Sequence, residues 1–116
     1  MSAVGQRIIL PRFAETPQQA IDTFLTIEDM NVPDTGDLNS DDVIVSIKSA
    51  SMTFVDLIMM TGQYQHMANL PFTPGLEYSG EVVWVGDEVV DLKAGDAVIN
   101  DYMAVGPRSI GAYQAY

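Results

Sequence analysis

Two residues that can do polar chemistry sit three apart in this chain. Thr53 carries a hydroxyl that both donates and accepts, and Asp56 follows at the spacing of a helix capping box. That pair reads first as a helix start, because a carboxylate at the third helical position is stabilising there by itself. Beyond it stand Tyr64, with a phenol, and His66, the only imidazole, beside Met67 and Asn69. Methionines 52, 59, 60 and 67 flank the same region. They read either as core filler or as a plastic apolar pocket for a ring-shaped substrate.

Several chemistries are excluded. The chain has no cysteine, which removes disulfides, thiolate metal sites and cysteine nucleophiles. Residues 31–42 form an acidic loop with the crude shape of a calcium site, but the spacing matches no EF-hand. A net charge of −11, from 16 acids against 5 scattered bases, leaves no basic patch for nucleic acid or an anionic membrane surface. No apolar run reaches the ~20 residues of a membrane span. The opening MSAVGQRIIL lacks the plan of a signal peptide, so a cytoplasmic protein is the expectation.

The elements that must position these residues follow from pattern. With 116 residues, 47% of them hydrophobic, the chain supports one domain, 1–116, with a true core. Gly5 to Phe13 reads as a strand. Thr16 and Pro17 open a short helix through about Thr23. Phe24 to Met30 suits a second strand. Val43 to Ala50 is a third, with Val43, Val45 and Ile47 facing one way and Ile44, Ser46 and Lys48 the other. Thr53 then caps a two-turn helix. Phe54, Leu57 and Ile58 form its apolar face, and Gly62 stands just past its end.

The stretch Pro71 to Gly95 predicts strand, turn, short strand, turn, strand. Tyr78 to Val85 is its main β run, and Gly75, Gly80, Gly86 and Gly95 serve as turn or close-approach positions. Ala97 to Asn100 closes a strand, Asp101 to Gly111 is irregular, and Ala112 to Tyr116 starts another possible strand. Six or seven short strands with one clear short helix make a mainly β domain, a barrel or a sandwich.

The pieces VIVSIKSASMTFVDL, LPFTPGLEYSGEVVWVG, DLKAGDAVI and GAYQAY, in this order and spacing, resemble the N-terminal catalytic domain of the medium-chain dehydrogenase/reductase superfamily. The resemblance implies a GroES-like fold: an irregular, partly open β-barrel with one or two short helices. The nearest branch is the zinc-independent quinone oxidoreductases and their enoyl-reductase relatives. Zinc-dependent members carry a cysteine and a histidine where this chain has Thr53 and Leu76. Neither residue ligates zinc as a thiolate or imidazole would.

By the same resemblance, Tyr64 lines the active site and orients or polarises a substrate carbonyl. Thr53 stands where many zinc-independent members have an asparagine near the nicotinamide, and Asp56 matches the family's helix aspartate. These three are the catalytic candidates, with Thr53 also the cofactor contact. Glu77 is expected to be buried, paired and structural. The implied cofactor is NADPH, without zinc, and the implied substrate a small quinone or enone. No G-x-G-x-x-G turn between a strand and a helix is present. The chain alone is therefore expected to bind no dinucleotide and to be inactive, needing a Rossmann domain as partner, and the resemblance also implies a homodimer. The alternative is a non-catalytic binding or assembly subunit. A co-chaperonin-like barrel would need a long partner-binding hairpin, and no such loop stands out.

Overall fold

A computed structural model of the chain describes residues 4–64, 67, 69–100 and 112–116. Strand β1 (Val4–Ile9) pairs antiparallel with β2 (Thr26–Asn31), placing Ile8 opposite Ile27 and Arg7 opposite Glu28. The latter two side chains form an ion pair. Thr16 accepts a hydrogen bond from the Gln19 N–H at 3.1 Å and caps α1 (Pro17–Gln19), with Pro17 in its first turn as expected. The helix does not simply continue to Thr23. It widens into a π-turn over Ala20–Phe24, closed by Leu25 N–H to Ala20 C=O at 2.8 Å. Ala20 is fully buried, and Phe24 and Leu25 pack against the core, so burial sets this turn's pitch.

The second sheet runs in the order β3 (Val43–Ala50), β4 (Tyr78–Val85), β5 (Ala97–Ile99), all antiparallel. Two register shifts, at Ile44/Val45 and Ile47/Ser49, break the expected alternation of β3. The most buried residue there is Ile44, not Val43, Val45 or Ile47. A bulge adds a residue on one strand and re-aims the side chains beyond it.

Among the described residues there are five strands, fewer than the pattern predicts. The short strand expected between Gly86 and Gly95 does not form: Val89 N–H bonds back to Gly86 C=O, and Asp96 N–H to Lys93 C=O, closing turns instead. The final segment contributes one β-bridge, Arg7 with Gln114, rather than a full strand. Asp101 to Gly111 and His66 lie outside the described residues.

Residues 112–116 nevertheless hold the two sheets together. Ile8 N–H donates to Tyr113 C=O (2.8 Å), Ala115 N–H to Gln6 C=O (3.0 Å), and Ile47 N–H to Ala115 C=O (2.9 Å). The segment thus bonds to β1 on one side and β3 on the other. The core cluster is built mainly off the strands, from Leu10, Ala20, Met59, Met60, Phe72 and Leu76. The described strands form two open sheets with few short helices, in keeping with the irregular, partly open GroES-like architecture.

Candidate functional site

The site begins where β3 ends. Ser51 and Met52 turn the chain, and Thr53, still extended at φ −115°, is the N-cap of α2 (Phe54–Met59). The sequence favours this corner because Asp56 at the third helical position reaches back to an N–H that the helix itself cannot satisfy. Thr53 N–H donates to Asp56 Oδ2 at 2.8 Å, and the Thr53 hydroxyl donates to the same oxygen at 3.2 Å. At the other end, Gln63 N–H bonds to Ile58 C=O and Gly62 N–H to Met59 C=O, with Gly62 at φ 71°. That is the Schellman ending expected of a C′ glycine.

A third donor comes from far along the chain. The Tyr113 hydroxyl lies 3.0 Å from Asp56 Oδ2 and 3.1 Å from the Ser51 carbonyl. Asp56 is fully buried, and its Oδ1 has no hydrogen-bond partner among the described residues. The Tyr113 phenol is pushed well above the ordinary tyrosine range, first by burial, then by the neighbouring Asp56 charge and by the hydrogen bond to it. It therefore stays protonated and remains a donor.

A cleft of about 360 Å³ opens beside the corner, among Ser51, Glu77, Tyr78, Ser79 and Asn100. The Ser51 hydroxyl donates to Glu77 at 2.7 Å. Glu77 is paired as expected but exposed rather than buried: it follows the buried run Phe72–Leu76 at the point where the chain returns to the surface. Asn100 clamps that turn, donating to Leu76 C=O and accepting from Tyr78 N–H. Leu76 itself is in the core.

Of the three sequence candidates, Thr53 and Asp56 are in direct hydrogen-bond contact. Tyr64 enters from the loop after Gly62 and packs, half-buried, against the core cluster. The methionines divide: Met59 and Met60 are core, whereas Met52 and Met67 are more than 60% exposed. Sequence reasoning missed Tyr113. Its one signal was membership of the GAYQAY piece, which carried no hint of contact with Asp56. Among the described residues, no three His, Cys, Asp or Glu side chains are grouped as metal ligands would be. No helix among them is long and apolar enough to cross a membrane.

The phenol makes a direct prediction. A tyrosine with a raised folded pKa adds stability that is present below its unfolded value, roughly 10, and lost as pH rises through the folded one. In an alkaline titration followed by tyrosinate absorbance, the Tyr113 component is expected last, appearing only as the domain unfolds. Tyr113→Phe should remove that late component. A Tyr113 that ionises in the ordinary tyrosine range would contradict the geometry.

The family model for the alcohol dehydrogenase GroES-like domain matches residues 39–116. The chain is 43% identical over 65 residues to a quinone oxidoreductase-like protein 2 homolog of Nematostella vectensis, covering 56% of this chain and 18% of that protein. It is 42% identical over 62 residues to a synaptic vesicle membrane protein VAT-1 homolog of Danio rerio, covering 53% of this chain and 13% of the relative. Among solved structures, Escherichia coli quinone oxidoreductase complexed with NADPH superposes with a TM-score of 0.69 at 28% identity, over 90% of this chain and 29% of that one. The quinone oxidoreductase of Coxiella burnetii gives 0.77 at 21% identity, over 97% and 33%, and shows likeness of fold. The matched region thus spans under a fifth of these curated relatives and about a third of the enzymes of known structure. The chain belongs to the alcohol dehydrogenase GroES-like domain family, and its relatives include quinone oxidoreductase-like and VAT-1 proteins of the medium-chain dehydrogenase/reductase superfamily.

Proposed function

We propose that this chain supplies the substrate-side wall of a zinc-independent, NADPH-dependent quinone or enone reductase acting in the cytoplasm. The observation that carries the reading is the corner itself. In a chain of this family, the position of a zinc-binding cysteine holds Thr53, committed to Asp56 at 3.2 Å, and the position of the histidine holds Leu76, committed to the core. That leaves hydrogen bonding and shape as the protein's contribution. The nicotinamide, when held by a Rossmann domain, supplies the hydride.

The residues at the corner suit such a ring. Met52 and Phe54, on either side of Thr53, are 64% and 74% exposed, an apolar rim that a flat ring would cover. Thr53, its hydroxyl held by Asp56, is the cofactor contact in this reading. Tyr64 donates its phenol to the substrate carbonyl and so stabilises charge developing on that oxygen. Asp56, buried and turned inward, holds Thr53 in place rather than touching substrate. The partner is a Rossmann domain, through which any homodimer also forms.

Amide NMR of the 116-residue chain tests this. A soluble naphthoquinone is expected to shift signals of Ser51–Asp56 and of Gln63–Tyr64, and NADPH with the quinone is expected to show no turnover. Shifts confined to other surfaces would favour a binding or assembly role instead. Turnover by the chain alone would overturn the assignment of the nucleotide to another domain.

A further inference from the structure

We propose that Tyr113 is a positioning residue: its hydroxyl braces the Ser51–Asp56 corner and so fixes Thr53 next to the cleft that Ser51 lines. This rests on the reading that the corner borders the quinone. Asp56 is fully buried, yet neither ion pair found among the described residues includes it. Its charge is held by dipoles alone: the helix N-terminus and three donors, all directed at Oδ2. Two of those donors belong to Thr53 and move with the same turn. Tyr113, 57 residues away, is the described donor to Asp56 that originates outside the turn.

The geometry is that of a brace. One hydroxyl proton is shared between an acceptor before Thr53, the Ser51 carbonyl, and one after it, the Asp56 carboxylate. Asp56 Oδ1 has no hydrogen bond among the described residues, so the bonds to Oδ2 are the polar contacts that hold the carboxylate's orientation. The backbone of Tyr113 is itself fixed. Its carbonyl accepts from Ile8 N–H at 2.8 Å, and its N–H donates to Pro74 C=O at 3.0 Å. Strand β1 and the turn at Pro74 therefore set where the hydroxyl sits. The connection continues to Glu77 through the Ser51 hydroxyl, a different group from the Ser51 carbonyl. It transmits position and not protons.

The test compares Tyr113→Phe with the parent 116-residue chain. Hydrogen exchange at the Thr53 amide is expected to accelerate about tenfold, while exchange at Leu10 and Phe72 stays unchanged. Loss of global stability would move all three together, and that result would reduce Tyr113 to a structural residue and overturn the proposal. The naphthoquinone dissociation constant should rise by up to about tenfold, the limit being the full worth of one hydrogen bond to a charged group that holds the binding geometry. Unchanged Thr53 exchange in a folded variant would also sink it. Should Tyr113→Phe not fold, Asp56→Asn serves instead: the Tyr113 ionisation must then fall part of the way, burial keeping it above the ordinary range, and no fall at all overturns the brace. If the parent chain binds no quinone, the functional reading fails, and the exchange comparison still decides Tyr113.

Discussion

Asp56→Ala is expected to destabilise the domain by about 3 kcal/mol, read as a lower urea midpoint at unchanged slope. Two effects oppose each other here. Burying a carboxylate is costly, by several kcal/mol even after relaxation, and Oδ1 recovers none of that cost. Against it stand three hydrogen bonds to a charged group, each worth about 1.5–3 kcal/mol, and the helix N-terminus, worth about 0.3–1 kcal/mol more. The bonds win in the native protein. Alanine removes the acceptor and leaves the Thr53 N–H and hydroxyl without the partner they had, whereas the Tyr113 hydroxyl keeps Ser51. Asp56→Asn retains an acceptor oxygen of nearly the same reach and should lose only about 1 kcal/mol. An alanine variant as stable as the parent would mean that the desolvation of the carboxylate, and not its bonding, dominates at this position.

Gly75→Ala is expected to be as severe, about 3 kcal/mol, for a steric reason. Gly75 adopts φ +113°, and a methyl group there would sit 2.7 Å from the Ala112 backbone nitrogen and 2.9 Å from the Ala112 Cβ. The backbone on both sides is bonded, Ala112 N–H to Gly75 C=O at 3.2 Å and Tyr113 N–H to Pro74 C=O at 3.0 Å, so neither side moves freely. Gly95 supplies the control. Its φ is similar, +98°, but nothing lies within 4 Å of its added methyl. Gly95→Ala should therefore show backbone strain without collision, about 1 kcal/mol. Equal losses at the two glycines would show that the packing of residues 112–116 on the Pro74–Gly75 turn contributes little. A larger loss at Gly75, accompanied by an earlier Tyr113 ionisation, would tie that packing to the site.

The sequence was most legible where local chemistry and final packing agree. Tyr78–Val85 and Val43–Ala50 form strands over the expected residues, because β-branched runs between turn signals suit a pleated, half-buried surface. The helix at Phe54–Met59 was legible at both ends, from Thr53 and Asp56 at one and Gly62 at the other. The order of the motifs carried the family. Where local preference was weak, the reading failed. Val89 and Val90 suggested a strand, but the chain between Gly86 and Gly95 closes turns on itself, and Val90 is left 94% exposed.

By itself, then, the sequence determined the family, the open and mainly β plan, the absence of thiolate chemistry, and the Thr53–Asp56 pair. Each of these depends on residue type and on spacing within a few positions. Only the tertiary structure decided that Asp56 is wholly buried, that Glu77 is exposed, and that Tyr113 closes the corner from 57 residues away. Those outcomes depend on residues 112–116 lying between β1 and β3, an arrangement made by backbone hydrogen bonds that are blind to side-chain identity. No local pattern in a sequence records which distant carbonyl such a segment will find.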